Sequence, residues 1–496
     1  MSNSGSIERS FLADSSIYLS ATVLSAAISF ITLPIYTRYL SLADFGIVAL
    51  FGMFGMMVSG LLSIGIQSAT YRYYFKFKED TDSFKTLNST NLVFLLLVFL
   101  FSGVGVYHLA FWFSSTLFDN QITEKIIRLS FLSGCINYFI TYISFLLTAQ
   151  KRSSAFAVVT ISRVLINTGF SFYFIFMDSL TYMARIYAII LTQTIMVGVL
   201  FFLIRDLVGI RFSMSGLKKS LRYSYPLIPR QIIGLTYKSF DKIFLNKYIG
   251  ITSVGYYSLG AQFATSIKML MDSIGKVYTP FFLINAKENT QDSKNKIVIR
   301  YYELAFLLMF FSLGIIYFSE ELIKLLTTKE FYPAMYIVPI YIYFHLFGIL
   351  GMISICQMMH AEKLNYILPA SIVSIIINII LNIILIPILG AVGAAIATAI
   401  AALGVGCTNL YFAQRVYPLP LGIFKLVRLY LLIAFFTVLI YPLMMIEINF
   451  LLKIAVKIIF ISFFFRIGIS LNYITKEKIA IILNRIKQKG KIFAAV

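Results

Sequence analysis

Apolar runs of about 20 residues, broken by short polar or charged stretches, recur along the whole chain. A helix needs about 20 mostly apolar residues to cross a bilayer, so each run predicts a transmembrane helix. The expected centres lie near Ala26, Met56, Leu97, Tyr138, Ile166, Ile195, Leu235, Ile267, Met309, Ile349, Ile376, Ala401, Ala434 and Phe460. That is an all-α polytopic membrane protein of about fourteen spans. Within the runs, hydroxyls recur at close to helical spacing. Asp14, Tyr18, Thr22, Ser25, Ser29 and Thr32 form a stripe on the first span, and Pro34 is expected to kink its far end. The second carries Ser59, Ser63, Gln67 and Thr70 in the same register. Two readings of such stripes stay open, close helix packing and the wall of a wet cavity. Gly393, Ala397, Ala401 and Gly404 share a face and read as a packing surface.

Charges inside the spans change the picture. The run from Tyr225 to Tyr248 is long enough to cross a membrane, yet it holds Arg230, Lys238, Asp241 and Lys242. A charge near the bilayer centre costs roughly 2.5 to 3.5 kcal/mol on insertion scales, so such residues normally face a bundle interior or a transport path. On a helix Arg230, Gly234, Lys238, Asp241 and Leu245 fall on one side. The next span places Lys268, Asp272 and Lys276 at i, i+4 and i+8. Both spans are read as lining one cationic cavity. Counting Arg163, the intramembrane bases outnumber the carboxylates Asp14, Asp241, Asp272 and Glu303, a balance that suits an anion. Arg163, Arg230, Lys238 and Lys268 are the candidate binding residues; for any one base the competing reading is snorkelling or a local ion pair. Asp14, Asp241 and Asp272 are candidates for ion coupling or for pairing with a neighbouring base. Glu320, Glu321 and Glu330, in an outer loop, are read as a solvated face.

Composition agrees with the pattern. At 59% hydrophobic and 13% charged over 496 residues, the chain is no ordinary soluble enzyme. The net charge of +21 raises nucleic acid as a partner, but the bases sit in short clusters between apolar runs, as the positive-inside rule expects. Clusters at Arg72 to Lys85, Lys151 and Arg152, Arg205 to Arg222, Lys287 to Lys296 and Arg415 to Arg428 follow every second span. They place both termini in the cytoplasm. No cleavable signal peptide is evident, and the first span is expected to remain. Cys135, Cys356 and Cys407 each stand alone in apolar runs and read as small buried hydrophobes. His108, His345 and His360 show no metal-ligand spacing. No metal, cofactor or nucleic acid is expected.

An internal repeat sets the organisation. Thr37 to Leu50 aligns without gaps on Asn246 to Leu259, matching Tyr39 with Tyr248, Gly46 with Gly255 and Leu50 with Leu259, at an offset of 209. A second echo, at offset 212, joins Ala149 to Lys151 with Ala361 to Lys363. Six spans apart, the repeats keep one orientation and predict two parallel lobes with cargo between them. The expected division is an N-terminal lobe at 1–204, a basic linker at 205–223, a C-terminal lobe at 224–420, and two added helices with a basic tail at 421–496. The linker reads as an amphipathic surface segment or as a plain solvated loop. The two added helices are a candidate groove for a lipid tail.

The chain resembles the polysaccharide flippases of the O-antigen and capsule type, the Wzx-like members of the MOP superfamily, which includes the MATE exporters. The resemblance rests on Ser15 to Ala21 (SSIYLSA), the run Leu33 to Gly46 (LPIYTRYLSLADFG), the run Tyr256 to Gly260 (YYSLG) and the two-lobe plan. It implies translocation of an undecaprenyl-diphosphate-linked oligosaccharide from the cytoplasmic to the outer leaflet of a bacterial inner membrane, by alternating access. Membrane lipids and other polysaccharide assembly proteins are the implied partners. Arg38, the base of the Leu33 to Gly46 run, joins the candidate substrate-binding set. Such a protein is not an enzyme. Guanidinium forks and ammonium charges suit a diphosphate. The alternatives are a MATE-type drug or cation exporter, which would need an acidic cavity, and a membrane-embedded polymerase or glycosyltransferase, which usually needs a sizeable outer loop.

Overall fold

The computed structural model describes residues 20–77, 80–118, 123–150, 152–177, 181–209, 211–225, 240–446 and 449–474, with Ile17 and Ile228. Among them every regular element is helical, as expected where lipid offers the backbone no hydrogen-bond partner. Ten of the helices are long and apolar enough to cross a membrane. Each expected centre falls in a helix except Leu235, which lies outside the described residues.

The first elements are α1 (Ser20–Tyr39), α2 (Leu42–Ser63), α3 (Ile66–Lys76), α4 (Thr81–Phe118) and α5 (Glu124–Ala149). They continue through α6 (Ser153–Met177), α7 (Tyr182–Leu203), α8 (Met214–Ser224) and α9 (Phe240–Tyr248). Beyond them run α10 (Ile251–Glu288), α11 (Gln291–Leu326), α12 (Ala334–His360) and α13 (Ile367–Val416). The last are α14 (Ile423–Val438), α15 (Ile440–Met445) and α16 (Phe450–Ser470).

Local chemistry explains the breaks. Pro34 sits at the start of the second piece of α1, where its missing N–H costs nothing, and a turn at Thr32 interrupts the helix there. Ser41 and Asp44 form a reciprocal capping box that starts α2. Ile64 and Gly65 then take φ of 45° and 69°, ending α2 and turning the chain into α3. The stripe expected on one helix is therefore divided, Ser59 and Ser63 on α2, Gln67 and Thr70 on α3. Thr70 is buried and bonds the Tyr142 hydroxyl at 3.0 Å, a packing role. Within α13, Gly390 has φ 57° and ψ −134° and divides two spans, so the centres at Ile376 and Ala401 belong to separate helices. Across that bend a Cβ on Gly393 would lie 2.3 Å from the Leu385 carbonyl oxygen, so this glycine lets the two segments approach closely.

The chain forms two compact units. Unit 1 comprises Met1–Leu259, Leu325–Pro333 and Ser374–Ala397. Here α2 crosses α5 where Gly55 meets Gly134; a Cβ on Gly134 would lie 2.5 Å from the Gly55 carbonyl oxygen. The two sequence repeats also meet inside this unit. A Cβ on Gly46 would stand 2.2 Å from the Ile251 carbonyl oxygen, and one on Gly255 2.1 Å from that of Leu42. Leu42 and Ile251 are themselves 209 apart, so the contact is reciprocal under the repeat. Because backbone meets backbone, no side chain can move aside. Gly255→Val is expected to destabilise the protein by about 1–3 kcal/mol through overpacking. Thermal unfolding in detergent checks this, with Gly52→Ala, which has nothing within 4 Å, as the neutral control.

The linker is anchored to unit 1. Asn88 Nδ2 donates to the Leu207 carbonyl at 2.8 Å, Gly209 N–H to Ser89 Oγ at 2.7 Å, and Ser213 N–H to Thr90 Oγ1 at 2.9 Å. Its helix α8 buries Gly216, Leu217, Ser220 and Ser224 and exposes Lys218, Lys219 and Arg222, so this part of the linker is amphipathic.

Unit 2 comprises Gly260–Lys324, Ala334–Val373 and Thr398–Val496. Its core is aromatic: Phe306 of α11 stacks on Phe464 at 5.2 Å and on Tyr473 at 6.1 Å. The solvated-face reading holds for the exposed Glu330 but fails for Glu320, which is 4% exposed. Lys453 Nζ lies 2.8 Å from Glu320 and the fully buried Lys457 Nζ 2.6 Å from Glu321. These bases tie α16 to the end of α11. Cys135 and Cys356 are buried as expected, whereas Cys407 is exposed, its helix turning that position outward.

Candidate cationic site

Arg163 lies about 15 Å along α6 from Ser153, within a helix that can span the bilayer. It is half-buried. Its guanidinium donates to Asn137 Oδ1 of α5 at 3.0 Å. No carboxylate pairs with it among the described residues, although a guanidinium offers five donors. Asn137 is thus an orienting group that leaves the charge uncompensated.

A second base, Arg185, stands in the first turn of α7, on the helix packed against α6. Its guanidinium lies 3.9 Å from the Tyr36 ring centroid and 3.5 Å from Ser171 Oγ. Tyr36 packs in turn on Phe172, at 5.5 Å between ring centroids. Nearby, Lys125 sits 5.6 Å over the Tyr187 ring. Ser171 is two turns beyond Arg163 on α6, so unit 1 holds two arginines about 12 Å apart along that helix. Neither pairs with an acid among the described residues. Cations laid over aromatic rings are held in place by the ring quadrupole and remain available to an anion. Sequence reading missed Arg185 and Asn137; a base in the apolar run from Tyr182 to Leu203 was the available signal for the first.

The other expected residues fall in different settings. Lys268 and Asp272 pair at 2.5 Å on α10 of unit 2 and are both exposed. Asp241, on α9, is buried and accepts a hydrogen bond from the buried Tyr257 hydroxyl as well as the Lys242 N–H at 2.8 Å. Arg38 is exposed at the end of α1. Arg230, Lys238 and Asp14 lie outside the described residues, as do Tyr18 and Tyr237. Of the expected set, only Lys268 and Asp272 are seen to meet. Among the described residues, no group of three or more His, Cys, Asp or Glu gathers to hold a metal. On α12, His345 is buried against Phe344 and Tyr341, with Nε2 unpartnered.

Solved structures place the fold. The chain is similar to the lipid II flippase MurJ in an inward closed conformation, at 16% identity and TM-score 0.70, over 91% of this chain and 98% of that one. It is also similar to an inward-facing multidrug resistance MATE transporter of the MOP superfamily, at 14% identity and TM-score 0.59, over 81% and 97%. A MOP superfamily transporter from Pyrococcus furiosus gives 14% identity and TM-score 0.58, over 82% and 95%. At such identities the likeness establishes the fold. No curated protein matches the chain. The sequence model of a family described as polysaccharide biosynthesis protein matches residues 11–285, more than half of the 496. The chain therefore belongs to the polysaccharide biosynthesis protein family and carries the polytopic helical fold seen in MOP superfamily transporters.

Proposed function

We propose that this protein flips an undecaprenyl-diphosphate-linked oligosaccharide from the cytoplasmic to the outer leaflet of a bacterial inner membrane, by alternating access between two lobes. The observation that carries the reading is Arg163, a guanidinium inside a span, fixed by Asn137 and without an acidic partner among the described residues. An intramembrane charge of that kind is costly unless something compensates it, and a lipid-linked diphosphate supplies both the negative charge and the lipid solubility. Arg185 beside Tyr36 is a second contact for head group or sugar. Arg230, Lys238, Lys268 and Arg38 complete the proposed set, with Asp14, Asp241 and Asp272 as coupling or pairing groups. A MATE-type cation exporter shares the fold, but unpaired arginines would repel its cargo. Deleting the gene tests the reading: lipid-linked oligosaccharide should accumulate on the inner leaflet while surface polysaccharide is lost. Normal surface polysaccharide in the deletion strain would remove it.

Orientation is part of the proposal. Cytoplasmic termini are the orientation that the alternation of base-rich and base-poor loops supports. Alkaline phosphatase fused after Lys329 should be active, and fused after Lys296 inactive. The reverse pattern would turn the protein over and move cargo loading to the other face.

A further inference from the structure

Unit 1 contains a cavity of about 300 Å³ between the start of α4 and the linker. Water occupies roughly 30 Å³ in the liquid, so this space suits a small polar group, at the lower end of ordinary ligand sites. Arg211 and Lys219 line it, with the hydroxyl-bearing Ser83, Thr86, Ser213 and Ser215. Asp82 is the one carboxylate in the lining. Arg211 and Lys219 have no acidic partner among the described residues, so within the lining two cations face the single carboxylate of Asp82.

The walls are held in place. Asn88, Ser89 and Thr90 of α4 hold the linker at Leu207, Gly209 and Ser213, so both sides of the cavity are fixed before anything enters. Asp80 caps α4 beside it, and hydrogen bonds from Ser83 hold that carboxyl below the usual carboxylate range. From this geometry we infer that the cavity binds a phosphoryl group, Arg211 supplying a forked contact and Lys219 a point charge, with Thr86 and one hydroxyl of the Ser213–Ser215 pair, which bond each other at 3.0 Å, donating to remaining oxygens. The phosphoryl group belongs to an anionic phospholipid head group or to a soluble phosphate. The amphipathic α8, which exposes Lys218, Lys219 and Arg222, places the site where either has access. This site is separate from the arginines of α6 and α7 and does not depend on the cargo assignment.

The test uses the full chain in nanodiscs, comparing wild type, R211Q/K219Q and a control, K218Q/R222Q, which removes equal charge from α8 outside the cavity lining. Melting midpoints are measured in phosphatidylcholine discs, in discs of graded phosphatidylglycerol content, and in phosphatidylcholine discs titrated with pyrophosphate. A saturable rise is expected in wild type and control, with the half-point moved about tenfold higher in R211Q/K219Q. A rise with phosphatidylglycerol alone identifies a lipid head group, one with pyrophosphate alone a soluble phosphate, and one with both a site that accepts either. The proposal is overturned if neither additive moves the midpoint, or if R211Q/K219Q responds like wild type. Equal weakening in the control variant overturns it too, since that result means general surface charge.

Discussion

Lys457→Ala should lower stability by about 3–5 kcal/mol, the usual cost of removing one partner from a buried ion pair. Lys457 is wholly buried, with its Nζ 2.6 Å from Glu321 and 3.7 Å from Glu320. Truncating it leaves Glu321 with no counter-charge among the described residues, and α16 loses its deepest tie to α11. Replacing both partners by apolar residues of similar volume is a different experiment. Lys457→Met with Glu321→Met should recover most of the loss, because the desolvation of both charges disappears together. Unfolding of the purified variants in detergent measures both effects. If the alanine variant melts with wild type, the network contributes nothing to holding α16.

Arg163→Glu should abolish export, and Arg163→Ala should leave little. A charge-assisted hydrogen bond is worth about 1.5–3 kcal/mol, which corresponds to roughly ten- to hundredfold weaker capture at 1.4 kcal/mol per decade. Arg163→Lys keeps the charge but loses the planar fork, so partial export is expected. Asn137→Ala should fall between wild type and Arg163→Ala, since Asn137 positions the guanidinium at 3.0 Å. Surface polysaccharide, measured at matched membrane levels of each variant, provides the readout. Wild-type polysaccharide from a normally inserted Glu variant would show that Arg163 is not a cargo contact.

The all-helical membrane class was legible, and most expected centres fell in helices, because both follow from the length of apolar runs, a one-dimensional property; the helices around Ile267 and Phe460 are not among the ten long and apolar enough to cross a membrane. The break within α13 was legible for the same reason, and Gly390 supplies the left-handed φ that divides its two spans. Even the reciprocal contact of Gly46 and Gly255 had a trace in the repeat, although alignment alone does not reveal that the two copies touch. What failed was pairing at long range. Glu320 looked like a solvated acid because only its local partner Lys324 is visible in the sequence, whereas Lys453, which buries it against α16, is 133 residues away. Asn88 to Thr90 carried no visible signal, since their role is to bond the linker more than 100 residues on. The site was half legible: Arg163 stood out as a charge in an apolar run, whereas Asn137 is an ordinary small polar residue until α5 and α6 are placed together.

Transport of cargo by the purified protein is the most direct test. Proteoliposomes would be loaded with a polyprenyl-diphosphate trisaccharide carrying a fluorophore that an external reductant quenches only in the outer leaflet. Protein-dependent loss of the protected fraction is expected, fast with wild type and slowed at least tenfold by Arg163→Ala. Vesicles that leave the protected fraction intact while carrying a lipophilic cation across the same membrane would contradict the account and identify an exporter of cations instead.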